Sequence, residues 1–246
     1  VISLSTLAQD KMPTYDFKFK ITNLSDSTDS VAYMANYYGS KQYYFDTATF
    51  EPGGVLHFKG DSIMGGIYSI ILSDKKSYFE FVVNEPKIEM ETKSGDFVNS
   101  MKVKTSVENT KFYEYLGFIE GKTKEVEVLK KKREEAKGKD QKAIEEQLGA
   151  LDKEVIGYKL NFIDENPDFL ISKVFKASAE PEIPEYKEIK DDDERQRRRY
   201  QEFKSAYLRV VDFADERLLR TPVLHNKMNY YITKLVVQAP DLSLIH

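Results

Sequence analysis

The sequence predicts an α+β protein in two segregated parts: an antiparallel β-sandwich or barrel of about eight strands, then an all-helical part with a long αα-hairpin. From Tyr15 to about Lys104, apolar and polar residues alternate at every second position, which is the period of a β-strand. After Ser106 the apolar residues recur every three or four positions, which is the period of a helix. We therefore place the sandwich at residues 14–105 and the helical domain at residues 106–240.

Eight short segments of the first part have the character of strands. In the first segment Tyr15, Phe17 and Phe19 share one face and the polar residues between them share the other, as in a strand with one face in water. The other segments are residues 31–37, 42–48, 55–58, 67–72, 78–83, 88–92 and 101–104. Turn-forming sequences such as Glu51-Pro52-Gly53-Gly54 separate them. Short strands without helices between them favour a sandwich or barrel, and 16 Tyr and 15 Phe without any Trp fit an aromatic-rich sheet.

The predicted αα-hairpin comprises residues 107–137 and a second helix that begins after the break at residues 138–140. Apolar residues of the second helix alternate in steps of four and three, which forms a seam that can pack on the first helix. They are Ile144, Leu148, Leu151, Val155, Tyr158 and Phe162. Asn166-Pro167 ends the hairpin, because the residue before a proline is driven out of helical geometry.

Three further helices are predicted after the hairpin. A short one covers residues 169–177, and a proline-marked linker follows at residues 180–184. The next helix has an apolar side made of Tyr200, Phe203, Tyr207, Val210 and Ala214. The last helix has Thr221 as its N-cap residue and Pro222 at its first position, and Pro240 ends it.

Composition restricts the classes of function. The net charge of −4 gives no reason to expect nucleic acid as a partner. No apolar run approaches the roughly 20 residues of a membrane helix, so we expect no membrane span. The sequence has no cysteine, which excludes disulfides and thiol chemistry within this chain.

The two ends of the sequence carry predictions of their own. Residues 1–9 have an apolar run, small residues at Thr6 and Ala8, and then polar sequence, which indicates the remnant of a signal peptide and an exported, periplasmic or cell-envelope protein. A frayed terminus or an edge strand is the alternative interpretation. Residues 241–246 have no periodic pattern and are interpreted as a truncated or artefactual tail, with an ordinary chain end as the alternative.

No catalytic, cofactor-binding or metal-binding residue is predicted. No histidine or carboxylate spacing fits a zinc or EF-hand site, and no nucleophile elbow or phosphate-binding glycine loop is present. We expect His57 to have a cross-strand partner on the wet face of its strand, and His225 to make local hydrogen bonds. The acidic run 191–194 is expected to complement a helix N-terminus, and the arginines at 195 and 197–199 to form a solvated helix face.

Two pairs of tyrosines suggest a ligand contact. Tyr37-Tyr38 and Tyr43-Tyr44 lie on consecutive predicted strands, and alternation turns one ring of each pair outward if the other faces the core. An outward ring can stack on a sugar or a peptide. Tyr38 and Tyr44 are the candidate contact residues, although aromatic pairs also stabilise sheets that bind no ligand.

The order of these parts resembles a known family. The residues that carry the resemblance are Phe45-Asp46-Thr47-Ala48, Glu51-Pro52-Gly53-Gly54, Phe162-Ile163-Asp164-Glu165-Asn166-Pro167 and residues 211–227. They resemble the amino-terminal region of exported thioredoxin-like, thiol-disulfide interchange proteins of Bacteroidetes-type bacteria, over about residues 9–240. There, a sandwich domain of unknown function and a helical segment precede a thioredoxin fold. The active cysteines of such relatives belong to that fold, and nothing in this chain corresponds to it.

Two hypotheses of function follow. The resemblance implies a non-catalytic accessory or interaction region, whose partner is a downstream thioredoxin-like domain or an envelope protein. The alternative is a free-standing periplasmic or surface module that recognises glycan or peptide through the tyrosine-rich strands. An independent hydrolase is disfavoured, because no set of nucleophile, base and orienting group is visible. The oligomeric state does not follow from the sequence.

Overall fold

The strands of the first part form where the alternation predicts them. The computed structural model describes residues 11–12, 14–25 and 30–236. The predicted signal-peptide remnant, the predicted tail and Pro240 lie outside the described residues. The strands are β1 (Lys11–Met12), β2 (Tyr15–Thr22), β3 (Val31–Tyr38), β4 (Lys41–Thr49), β5 (Val55–Gly60), β6 (Ile63–Met64), β7 (Gly66–Leu72), β8 (Tyr78–Val83), β9 (Lys87–Lys93) and β10 (Lys102–Thr105).

Two four-stranded sheets form the sandwich, which confirms the predicted fold class. One sheet has the order β10-β9-β2-β5 and the other β4-β3-β7-β8, while β1 and β6 form a separate two-stranded ribbon. One pair departs from the expected antiparallel arrangement: β2 and β9 are parallel, with Phe17 beside Ile88. Since parallel neighbours need a long connection, the whole second sheet lies between them in the chain.

The inner faces of the two sheets meet in an aromatic core. Phe17 and Phe19 of β2 are buried, and so are Phe58 of β5 and Phe81 of β8. The rings of Phe19 and Phe81, which come from opposite sheets, have centroids 4.9 Å apart in an edge-to-face arrangement. This geometry is favourable for aromatic pairs.

The helical part begins directly after β10. Its α-helices are α1 (Val107–Glu135), α2 (Lys139–Glu165), α3 (Leu170–Ser178), α4 (Asp192–Ala206) and α5 (Pro222–Tyr230). A 3-10 helix (Glu216–Arg220) precedes α5, and a π-helical turn (Tyr231–Leu235) follows it.

The αα-hairpin is present at the predicted place. Ser106 caps α1 by accepting a hydrogen bond from the backbone N–H of Asn109, and Gly138 precedes α2 with a positive φ of 59°. The rings of Phe118 and Tyr158 stack at 4.4 Å between the two helices. Asn166 forms the C-cap of α2, as the following proline predicts.

The last helices differ from the prediction in two details. The helix α4 ends at Ala206, so the expected apolar side does not extend along one helix to Val210 and Ala214. The carboxylate of Asp212 accepts the backbone N–H of Ala214 at 3.2 Å, and such local bonds compete with helix formation. Thr221 is the N-cap residue of α5 as predicted, but its hydroxyl donates to the carbonyl of Leu218 and not to α5.

Sandwich and helices share one hydrophobic core. Phe112 of α1, Phe162 of α2, Ile171 of α3 and Leu218 of the 3-10 helix belong to the same buried cluster as Phe17. The two parts are therefore separate along the chain, while their apolar side chains pack together.

Candidate functional site: the β4 edge

The strand β4 lies at the edge of its sheet. Among the described residues it pairs along its length with β3 only. An edge strand presents backbone N–H and C=O groups that are available to another chain. The site is built around this edge.

The first half of β4 is exposed on both of its faces. Tyr43 and Tyr44 are 51% and 59% exposed, and Phe45 is also exposed. Alternation places one ring of the Tyr43-Tyr44 pair outward if the other faces the core, and in the structure both rings are exposed. The register with β3 also shifts after Met34, which leaves Phe45 without a partner residue in β3, as in a β-bulge.

The outer face of this sheet carries a row of polar and aromatic contacts. The ring of Tyr44 stacks on Tyr33 with centroids 4.8 Å apart. The amide of Gln42 donates to the hydroxyl of Ser69 at 2.7 Å. Tyr37 donates its hydroxyl to a carboxylate oxygen of Glu80 at 2.6 Å. These contacts hold the exposed Tyr44 ring above a fixed surface.

Buried phenols hold the sheet at two points. Burial is the main cause that raises the pKa of the Tyr37 hydroxyl, and the hydrogen bond to Glu80 adds to it. Tyr15 donates to Asp46 of β4 at 2.9 Å, and burial followed by this hydrogen bond raises the pKa of Tyr15 as well. Both phenols therefore remain protonated donors at neutral pH. The Tyr15 bond joins β2 to β4, and the Tyr37 bond joins β3 to β8.

The two predicted contact residues lie at different places. Tyr44 lies on the outer face, stacked on Tyr33. Tyr38 is 61% exposed at the end of β3, opposite Lys41. Because it directly follows Tyr37 in the strand, it points to the other face of the sheet. The structure exposes both rings but does not bring them together. The sequence did not identify Tyr33 and Gln42 as residues of the site. Tyr33 could have been found, because alternation along β3 places it on the same face as Tyr37.

The opposite edge of the same sheet is covered. The side chain of Asn109 in α1 accepts the backbone N–H of Val82 and donates to the carbonyl of Val82, both at 2.8 Å. Val82 and Asn109 are buried. The amide thus satisfies the backbone groups of Val82 as a neighbouring strand would. The β8 edge is covered at this residue, whereas β4 pairs along its length with β3 alone among the described residues.

The other predicted polar sites are local surface contacts. Nε2 of His57 lies 2.7 Å from a carboxylate oxygen of Asp16 on the adjacent strand, which is the cross-strand partner expected for it. This hydrogen bond is the main cause that lowers the pKa of Asp16. Asp191 caps α4 by accepting the N–H of Glu194, as expected for the acidic run. The exposed His225 of α5 lies against Gly39 in the β3–β4 turn.

The described residues form neither a metal-binding cluster nor a membrane-spanning helix. No three His, Cys, Asp or Glu side chains are grouped so that they could hold a metal ion. In the same part of the chain, every helix is too short or too polar to cross a membrane.

Comparisons with known proteins complete the description of the site. No protein-family model matches this sequence, and no curated protein matches it at a significant level. The resemblance to exported thioredoxin-like proteins therefore stays a prediction.

Proposed function

We propose that this chain is a non-catalytic binding module that takes up an extended polypeptide segment along the open edge of β4. The observation that carries the proposal is the contrast between the two edges of one sheet. Asn109 covers the backbone of Val82 in β8, whereas β4 pairs with β3 alone in the described structure. An added strand gains main-chain hydrogen bonds from such an edge.

The aromatic residues of β4 supply the second element of recognition. Side chains of an added strand point alternately to the two faces of the sheet. Those on the outer face meet Tyr44 and Gln42, and those on the other face meet Tyr43 or Phe45. A peptide can form main-chain hydrogen bonds with the edge of β4 and also place its side chains against the aromatic residues. A glycan uses only the aromatic surface, so we favour the peptide.

The source of the segment is the partner that the family resemblance implies. We propose a thioredoxin-like domain encoded in the same gene, or another envelope protein, with export to the periplasm or cell envelope. Sequencing the complete gene tests the first source through a C-x-x-C motif in a βαβ context. Fractionation of cells that produce the native gene tests the location.

The binding test uses a library of extended peptides displayed beside a glycan array. We expect wild-type protein to bind a subset of peptides, and Tyr44→Ala to weaken that binding by about tenfold, since buried aromatic contacts dominate peptide interfaces. Tyr78→Ala is the matched control, because Tyr78 is equally exposed on β8 at the opposite end of the sheet. Affinities are measured by isothermal titration calorimetry.

Hydrogen exchange identifies the edge that is used. On binding, the backbone amides of residues 41–47 are expected to gain protection, while those of β8 are unchanged. Binding of glycans alone, or protection that appears elsewhere in the chain, would contradict the proposal.

A further inference from the structure

The αα-hairpin extends well beyond the point where it packs on the sandwich. The buried residues of α1 all lie in its first two turns, and they are Glu108, Asn109, Phe112 and Tyr113. Glu135, at the end of α1, lies 22 residues beyond Tyr113, or about 33 Å along the helix axis. Residues 130–135 and 137–143 are exposed. The hairpin thus presents an exposed end far from the sandwich.

This exposed end carries a dense positive charge. Residues 130–142, which we call the hairpin tip, contain seven lysines or arginines and three acidic residues. The whole chain has a net charge of −4, so the residues outside the tip have a net charge of −8. Positive charge is therefore concentrated at one end of an otherwise acidic molecule. The basic residues of the tip are Lys130, Lys131, Lys132, Arg133, Lys137, Lys139 and Lys142.

The charge of the tip is not neutralised within the chain. Lys122, which lies closer to the sandwich, pairs with Glu154 of α2 at 2.7 Å. Among the described residues, none of the seven cations of the tip has a carboxylate within ion-pair distance. The next carboxylates along the two helices, Glu127 and Glu145, lie about 9–12 Å behind the helix ends. That separation exceeds the Debye length of about 8 Å at physiological ionic strength, so these carboxylates compensate the tip only weakly.

The stability of the hairpin explains only some of these cations. Lys132 and Arg133 lie in the last turn of α1, where they complement the negative end of the helix dipole. Lys139 and Lys142 lie in the first turn of α2, where the dipole disfavours a positive charge. Lys137 lies between the two helices. The last three cations therefore indicate an anionic partner outside the chain.

The distribution of the charge indicates what kind of anionic partner fits. Residues 130–133 are four consecutive cations, and since successive helical positions are about 100° apart, they surround the end of α1. A partner helix or a groove would contact only one side of such an end, whereas a layer of mobile headgroups can contact it from every side. The tip has no aromatic residue on which a nucleic-acid base could stack. Its charge thus fits a lipid surface best.

We propose that the hairpin tip binds the surface of a membrane that contains anionic phospholipids, with the headgroup phosphates as its ligands. Clusters of four to eight lysines or arginines bind anionic lipid, and each cation near the surface adds affinity. About 33 Å of helix separates the tip from the point where Tyr113 donates to the carbonyl of Glu80 in the sandwich. This distance is several Debye lengths, so the lipid surface attracts the tip without repelling the sandwich. The binding is independent of the β4 edge.

Co-sedimentation of the whole chain with vesicles tests the proposal. The vesicles contain about 30% phosphatidylglycerol in phosphatidylcholine, and vesicles of phosphatidylcholine alone are the comparison. We expect binding to the anionic vesicles only. Because the attraction is electrostatic, binding should fall by at least about tenfold when the salt concentration is raised from about 50 mM to about 500 mM. Equal binding to both kinds of vesicle, or binding to neither, would overturn the proposal.

Substitutions show whether the tip carries the binding. Replacement of Lys130, Lys131 and Lys132 by glutamine is expected to weaken binding to the anionic vesicles by about a hundredfold, whereas replacement of the same residues by arginine keeps the charge and the binding. The matched control makes the same change in net charge with glutamine at three exposed lysines outside the tip, and it should bind as wild type does. These are Lys76, Lys87 and Lys190.

A fluorescent label reports which end of the molecule meets the membrane. The chain has no cysteine, so one introduced cysteine takes up an environment-sensitive fluorophore at a single site. The emission of labelled Gln141→Cys, in the tip, is expected to change when the anionic vesicles are added, and that of labelled Lys76→Cys, in the β7–β8 turn, to stay the same. Circular dichroism confirms that each variant is folded. A change at residue 76 alone, or equal losses for the two glutamine triple variants, would contradict binding through the tip.

Discussion

At the scale of single residues, Glu108 is the buried charge that joins the two parts of the molecule. It lies in the first turn of α1, and its carboxylate accepts the backbone N–H of Ile171 at the start of α3 at 3.0 Å. It also accepts the amide N–H of Asn84, from the loop after β8, at 2.8 Å. Burial raises the pKa of Glu108, although these hydrogen bonds and Arg217 oppose the rise.

The raised pKa predicts a pH dependence of stability. Because the folded-state pKa of Glu108 exceeds the ordinary value of 4.5, its contribution to stability is complete below that pH. The contribution is lost as the pH rises through the folded-state pKa. We therefore expect the free energy of unfolding of wild type to fall relative to that of Glu108→Gln as the pH is raised from 4.5, measured by urea unfolding.

The alanine variant provides the comparison for this experiment. Glu108→Ala leaves the buried N–H of Ile171 without its acceptor, so we expect a loss of about 1–3 kcal/mol at all pH values. A difference between wild type and Glu108→Gln that does not change with pH would show that Glu108 titrates as it does in the unfolded chain.

At the scale of elements, glycines have opposite effects in the hairpin and in the sandwich. A Cβ at Gly149 of α2 meets no atom within 4 Å. A Cβ at Gly54, in the β4–β5 turn, would overlap the carbonyl oxygen of Ile21, and Gly54 has a φ of +77°. The first position tolerates a side chain, and the second requires glycine for both space and backbone conformation.

Two alanine substitutions test this difference by thermal unfolding. Gly149→Ala is expected to stabilise the protein by about 1 kcal/mol, because alanine has the higher helix propensity. Gly54→Ala is expected to destabilise it by more than about 1 kcal/mol, because the native conformation cannot accept a Cβ. Equal effects of the two substitutions would contradict the assignment of these turns and helices.

The local sequence pattern predicted where strands and helices begin and end, but it did not predict which strands pair with one another. Alternation gave the bounds of β8 as observed, and Asn166-Pro167 gave the end of α2. The parallel pairing of β2 with β9 joins residues about 70 positions apart in the sequence. The alternation of apolar and polar residues within a strand does not indicate which distant strand it pairs with. The order of strands in the sheet likewise decides which strand is at an edge. It therefore determines both the exposure of Tyr43 and Tyr44 on β4 and the hydrogen bond of Asn109 to Val82 on β8. The candidate residues could thus be chosen from sequence, but the edge that makes them a site could not.

At the scale of the whole molecule, the shared core makes the two parts interdependent. Arg217, in the 3-10 helix, donates to the side chain of Asn84 at 2.8 Å and to the carbonyl of Asp168 at 3.2 Å. Leu218, its neighbour, is fully buried in the same core as Phe17. We infer that the sandwich and the helices that cover it unfold together.

Adjacent leucines test this coupling. Leu218→Ala removes a fully buried side chain, so we expect a loss of about 2–5 kcal/mol, with tyrosine near-UV and helix far-UV dichroism changing in one transition. Leu219→Ala removes a side chain that is 45% exposed and should change stability by about 0.5 kcal/mol or less. Separate transitions for the two signals would show that the parts are independent.

The position of Leu218 has a consequence for the order of events during synthesis. The strand β2 leaves the ribosome early, but its parallel neighbour β9 is synthesised about 70 residues later. Leu218, which packs in the same core, is synthesised about 200 residues after β2. Until then the aromatic faces of the sheets have no complete cover and are open to contacts with other chains. The hydrophobic core of the nascent protein is therefore complete only when the segment after α4 has left the ribosome. A chain that stalls before that point exposes apolar surface of its sandwich and is prone to aggregate.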